Sequence, residues 1–146
     1  MNEPTADFVI LLAEDEPADA HLVKAALAEN HILADLYHVH DGRQVLDFVH
    51  RRGVKFANVP RPHLILLDMN MPRMNGRECL AALKQDEDVR DIPVVILTTS
   101  TVERDVVASY NLGASGYIAK PMDMQQFSDA IRHLGDYWIK LVRLPR

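Results

Sequence analysis

Short apolar runs alternate with longer amphipathic segments along the whole chain. FVILLAE (8–14) is a continuous apolar run with β-branched members and predicts a first strand. Pro17 suits the first turn of a helix, with Glu16 just before it; Ala20, Leu22, Val23, Ala26 and Leu27 follow at helical spacing. ADLYHVH (34–40) alternates and predicts a second strand, at an edge of the sheet. Asp41-Gly42 opens a second helix with Val45, Leu46 and Val49 inward, and GVKFANVPRP (53–62) is a surface loop by its Gly and Pro. HLILLDM (63–69) is apolar almost throughout, as in a strand buried on both faces. Asn75-Gly76 precedes a third helix with Cys79, Leu80 and Leu83 inward, and PVVILTT (93–99) is a fourth strand. Ser100 and Glu103 have capping-box spacing, so a fourth helix begins there, runs through Val106 and Val107 and stops near Gly113. SGYIAK (115–120) is a fifth strand, and Asp123 caps a fifth helix with Phe127, Ile131, Leu134 and Trp138 on one stripe.

The order strand-helix, five times over, predicts a parallel sheet with helices on both faces and right-handed crossovers. Ligands in such sheets bind outside the carboxyl ends of the strands, where the strand order reverses. With no repeat, low-complexity tract or linker, residues 1–146 read as one domain of common size. Hydrophobic residues are 48%, enough for a packed core. The formal net charge of −5 argues against nucleic acid, which wants a basic face. No apolar run approaches the ~20 residues of a membrane helix, and the start, MNEPTADF, is not a secretory signal. The single cysteine, Cys79, forms no internal disulfide and reads as a small core residue. The expected location is the cytoplasm.

The chemistry gathers at the predicted strand exits. The first strand ends in Glu14 and Asp15, the third in Asp68, the fourth in Thr98 and the fifth in Lys120. If the first and third strands are neighbours, their ends sit roughly 5 Å apart. Three carboxylates that close are costly to keep ionised without a cation. Oxygen-only ligation with room for water suits Mg²⁺. A hydroxyl and an ammonium across from them suit a phosphoryl group. Each residue alone has a plainer reading: a solvated acidic loop, a strand threonine, a surface lysine. Their joint placement is what points to a site.

AEDE at the end of strand 1, LLDMNMPRMNG after strand 3, ILTTS on strand 4 and GYIAKP on strand 5 together resemble the receiver domain of two-component response regulators. The resemblance covers about residues 8–134 and implies a flavodoxin-like (βα)5 three-layer sandwich with strand order 2-1-3-4-5. It implies that Asp68 is the phosphoacceptor for a phosphohistidine on a sensor histidine kinase or phosphotransfer protein. Asp15, Asp68 and the backbone carbonyl of Asn70 would ligate Mg²⁺, with Glu14 holding a metal-bound water. Thr98 Oγ and Lys120 Nζ would bind phosphoryl oxygens, and Lys120-Pro121 matches the family's cis peptide. Thr98 and Tyr117 match the switch positions, so the helix 4, strand 5 and helix 5 surface would change shape. Without the resemblance, Tyr117 reads as an ordinary half-buried strand tyrosine.

The chain continues past the expected end of helix 5, over about 135–146, and LGDYWIKLVRLPR carries Tyr137, Trp138, Leu141, Val142 and Leu144. These pack back on the domain or form a homodimer interface. The tail, NVPRPHLILLD and LTTS resemble the stand-alone receivers paired with bacterial phytochromes, which implies a bacteriophytochrome kinase as partner. His38 and His40 have His-x-His spacing but no evident third ligand, so edge-strand surface histidines are the reading. An aspartate-nucleophile hydrolase would have a second Asp two residues after the nucleophile; Asn70 stands there, and the chain does not read as an enzyme. A receiver-like interaction module that is not phosphorylated is the alternative function, although such modules typically lose one of Glu14, Asp15, Asp68, Thr98 and Lys120.

Overall fold

A computed structural model describes residues 8–29, 34–98, 113–114, 116–119 and 129, with backbone only for Thr98 and 116–119. Five strands form one parallel sheet: β1 (Val9–Ala13), β2 (Asp35–Val39), β3 (Leu64–Asp68), β4 (Val94–Thr98) and β5 (Gly116–Ala119). The strand order is β2-β1-β3-β4-β5. Between them lie α1 (Pro17–Glu29), α2 (Gly42–Val49), a 3₁₀ turn at Val54–Phe56 and α3 (Gly76–Gln85). The fourth and fifth helices expected from the sequence, the Ser100 to Glu103 cap, Lys120-Pro121 and the tail lie outside the described residues.

The sheet sorts its side chains by the two-residue period of a strand. Ile10, Leu12, Leu64, Leu66, Val95 and Leu97 pack with Ala20, Val23, Ala26 and Leu27 of α1. Leu11, Ala13, Ile65, Leu67, Val94 and Ile96 pack on the other face with Val45 and Phe48 of α2 and Cys79, Leu80 and Leu83 of α3. β1 and β3 are buried on both faces along their whole length, which is why they read as unbroken apolar runs. β2, at the edge, is only partly buried up to Val39.

The sequence-based reading needs two adjustments. Phe48, not Leu46 or Val49, is the deep α2 contact; the latter two only flank the core. Phe48 lies three residues after Val45 and packs between Tyr37, edge-on, and Phe56, tilted, with ring centroids 5.4 and 5.5 Å away. The 53–62 segment is not simply a loop, because the 3₁₀ turn drives Phe56 into that cluster. Val54 points out instead, as isolated apolar residues often do.

Candidate functional site at the carboxyl edge of the sheet

Register fixes what meets at the strand exits. Ala13 pairs with Leu67, so Glu14 and Asp68 each stand one residue beyond the same rung. Asp68 pairs with Leu97, and Thr98 comes next on β4. Thr98 in turn pairs with Ala119, two residues after Tyr117, which pairs with Ile96. The backbone thus carries Glu14, Asp68 and Thr98 to neighbouring positions along one edge. The side chains of Thr98 and Tyr117 are not described, and Lys120, the residue after Ala119, lies outside the described residues.

The two acids next to each other differ in depth. Glu14 and Asp68 are 0% and 3% exposed, whereas Asp15 is exposed and Asn70 is exposed beyond Asp68. Glu14 Oε1 accepts a 3.1 Å hydrogen bond from the Glu16 backbone N–H, a local turn that fixes the carboxylate at the strand end. Glu14 N–H donates to the Val39 carbonyl at 3.1 Å, extending the β1–β2 ladder past β1. His38 Nε2 lies 2.8 Å from the Glu14 carbonyl. A carbonyl only accepts, so Nε2 carries the proton. His40 lies beside it, with ring centroids 4.5 Å apart, so the pair faces one way.

The segment after Asp68 is held more elaborately. Met69 N–H donates to Leu97 O at 3.1 Å, and Gly76 N–H returns to Met69 O at 3.1 Å. A Cβ on Gly76 would lie 2.3 Å from the Asp68 carbonyl oxygen, so glycine alone lets α3 start this close to β3. α3 opens with a capping box: Asn75 Oδ1 accepts from Glu78 N–H at 2.9 Å, and Glu78 Oε1 accepts from Asn75 N–H at 3.2 Å. The N-x-x-E spacing of this box is present in the sequence, where Asn75-Gly76 marks the start of the helix.

Across from that loop, Asp41 is 3% exposed and divides its two oxygens between two tasks. Oδ1 caps α2, accepting from Gln44 N–H at 2.9 Å. Oδ2 accepts from Arg73 Nε at 2.9 Å and also from Arg73 Nη2. Burial pushes the Asp41 carboxyl upward, but the Gln44 N–H and the Arg73 guanidinium outweigh it and hold it below the usual carboxylate range. Cys79 is pushed up to about 12 by burial first and then by the Asp41 charge, so it stays a protonated core thiol.

Among the described residues, no three His, Cys, Asp or Glu side chains gather into a preformed metal cage, and His38 with His40 recruit no third ligand. The donors that the resemblance implies are nonetheless all oxygen: carboxylates at Glu14 and Asp68, which are buried, and at Asp15, which is exposed, and the carbonyl of Asn70. That set fits Mg²⁺, which binds through one or two carboxylates and keeps several waters rather than demanding an all-protein cage.

Residues 10–132 match the family described as the response regulator receiver domain. The response regulator Rcp1 of Synechocystis sp. is 42% identical over 144 residues, which span 99% of this chain and 97% of Rcp1. The crystal structure of its Mn(2+)-bound form superposes with a TM-score of 0.80 at 41% identity, covering 95% of this chain and 99% of that one. The phosphorylated cyanobacterial phytochrome response regulator RcpA gives a TM-score of 0.83 at 37% identity, over 97% of this chain and 100% of that one. A response regulator in red light signaling of R. palustris gives 0.83 at 37% identity, over 95% and 99% of the two chains.

Proposed function

The chain belongs to the response regulator receiver family, and on that premise we propose that it is a phosphorylation switch whose acceptor is Asp68. The observation that carries this is the placement of two nearly fully buried acids, Glu14 and Asp68, one residue past a shared rung at the carboxyl edge. The donor is a phosphohistidine on a sensor histidine kinase or phosphotransfer protein. An Asp68 oxygen attacks phosphorus in line; the new P–O bond forms as the P–N bond breaks, and the imidazole leaves on the partner. Asp15, Asp68 and the Asn70 carbonyl would hold Mg²⁺, and Glu14 would hold a water on it. The cation supplies neutralisation of the carboxylates and of the incoming phosphoryl oxygens. Thr98 Oγ and Lys120 Nζ take the remaining oxygens.

The added charge and acceptor oxygens draw Thr98 inward. Tyr117 then fills the space behind it and reshapes the surface around β5. The product is a changed binding surface rather than a released compound, so the chain acts as a signalling component in the cytoplasm. The likeness to RcpA and to the R. palustris red-light regulator supports a bacteriophytochrome kinase as the donor. Tyr137, Trp138, Leu141, Val142 and Leu144 in the tail are our candidates for a homodimer interface.

The test is intact mass after incubation with acetyl phosphate, with Mg²⁺ or with EDTA, on wild type and Asp68→Asn. One added phosphoryl group, only with Mg²⁺ and only in wild type, is the expected result. No addition from acetyl phosphate or from a purified phosphorylated kinase would leave an interaction module that is not phosphorylated.

A further inference from the structure

Arg73 occupies an unusual backbone position for its residue type. Its φ is +62°, in the left-handed region that favours glycine. Met74 N–H donates to the Pro72 carbonyl at 2.6 Å across it. A hydrogen bond spanning three residues around a positive φ is a γ-turn of the strained hand. Strain of this kind persists only where surrounding contacts over-determine it. Two such contacts meet at Arg73 and Met74. The Arg73 guanidinium reaches the nearly buried Oδ2 of Asp41, 32 residues earlier in the chain. The next residue, Met74, accepts from Gly42 N–H at 3.0 Å. A Cβ on Gly42 would lie 2.7 Å from that same Met74 oxygen, so the two backbones are in direct contact. The first residues of α2 therefore grip residues 73 and 74, and the stretch between that grip and Asp68 is only Met69–Pro72.

We propose that the Arg73 to Asp41 pair is a clamp that positions the loop carrying Asn70 and so sets the affinity of the edge for its divalent cation. The proposal rests on the reading of that edge as a Mg²⁺ site. Arg73 is a positioning residue; its guanidinium faces Asp41, and it acts through the backbone of the loop. Asp41 is suited to the task because its other oxygen already caps α2, which leaves Oδ2 for the guanidinium. Charge-assisted pairing of a guanidinium with a nearly buried carboxylate holds geometry as well as energy.

The test uses Arg73→Ala, Arg73→Gly, Arg73→Lys and Asp41→Asn in the full chain. Asn retains the cap on α2 and removes the charge. Glycine fits φ +62° better than arginine, so it separates the turn's strain from the guanidinium's pull. Two readouts are taken without any phosphoryl donor: amide hydrogen exchange over residues 69–76, and the Mg²⁺ dissociation constant by calorimetry. Residues that orient a metal's ligands without touching the metal change affinity by about tenfold or more. We expect that loss, with faster exchange, in Arg73→Ala, Arg73→Gly and Asp41→Asn, no further loss in the combined Arg73→Ala and Asp41→Asn variant, and partial recovery in Arg73→Lys. Exchange and affinity within about twofold of wild type would overturn the clamp, as would wild-type behaviour of Arg73→Gly or a wild-type chain that binds no Mg²⁺. Acetyl phosphate on the same wild-type sample keeps the two readings apart. Mg²⁺ binding that depends on Arg73, with no phosphoryl uptake from acetyl phosphate or from a purified phosphorylated kinase, supports the clamp and removes the acceptor role of Asp68. Uptake with unchanged variants does the reverse.

Discussion

Two loops leave the same edge of the sheet, each beside a buried acid at the strand exit, and they are held by opposite means. After β1 the chain turns within three residues into α1. Glu14 is fixed by its own neighbour, Glu16, and by the adjacent strand β2 through Val39 and His38. After β3 the chain makes a seven-residue excursion, 69–75, before α3. Nothing in that excursion is regular, and it is held from both sides: by the start of α3 packed on the Asp68 carbonyl, and by the start of α2 gripping Arg73 and Met74. A short loop inherits its geometry from the ladder; a long one has to be fastened by helix ends. The proposed metal ligand that depends on backbone placement, Asn70, sits in the fastened loop, so errors there should matter most.

The strongest way to break the contrast is Gly76→Ala. The new methyl would meet backbone at 2.3 and 2.8 Å, not a side chain that can rotate away. Either α3 shifts off β3 or Asp68 moves. Overpacking against backbone should cost about 3 kcal/mol, read by urea denaturation. A loss of less than about 1 kcal/mol would mean that α3 slides freely and that the long loop is not set by helix packing.

Asp41→Ala comes next. It removes the α2 cap and the partner of Arg73 together. The Arg73 side chain is 60% exposed and regains water, so the loss falls below that of a fully buried pair, at about 2 kcal/mol. The pH dependence sharpens this. Asp41 titrates lower in the fold than in the unfolded chain. Its contribution is therefore complete above the unfolded aspartate value and is lost as pH falls through the folded one. Wild type should lose stability relative to Asp41→Asn on acidification below the usual carboxylate range, with no difference in slope near neutrality. Parallel acid limbs would remove the Gln44 N–H and the Arg73 guanidinium together as the groups that hold the carboxylate down.

How far all this could be read from sequence follows the same division. β1, β3 and their burial were legible because strands covered on both faces leave unbroken apolar runs. Cys79, Leu80 and Leu83 were legible because α3 shows a clear stripe. Phe48 was missed because α2 has only eight residues, and two turns are too few to fix the direction of a stripe. Register between β1 and β3 has no local signature, so the meeting of Glu14 with Asp68 rested on family likeness until the ladder placed them. The grip on Arg73 was illegible for a stronger reason. A non-glycine residue at positive φ has no pattern of its own, and its partner lies 32 residues away on another element. Local propensity cannot show a contact that only the packed helices create.

The smallest expected effect lies in the short loop. His38→Ala deletes the Nε2–H donor to the Glu14 carbonyl and the ring contact with His40. The Glu14 N–H bond to Val39 and the turn to Glu16 remain. The freed carbonyl lies at the end of an edge pairing, where water can replace the imidazole. One ordinary hydrogen bond is then at stake, about 1 kcal/mol, and His38→Gln should recover part of it by restoring a donor. A loss larger than that of Asp41→Ala would invert the comparison. The edge strand, rather than the local turn, would then be what fixes Glu14, and the short loop would prove as dependent on a distant partner as the long one.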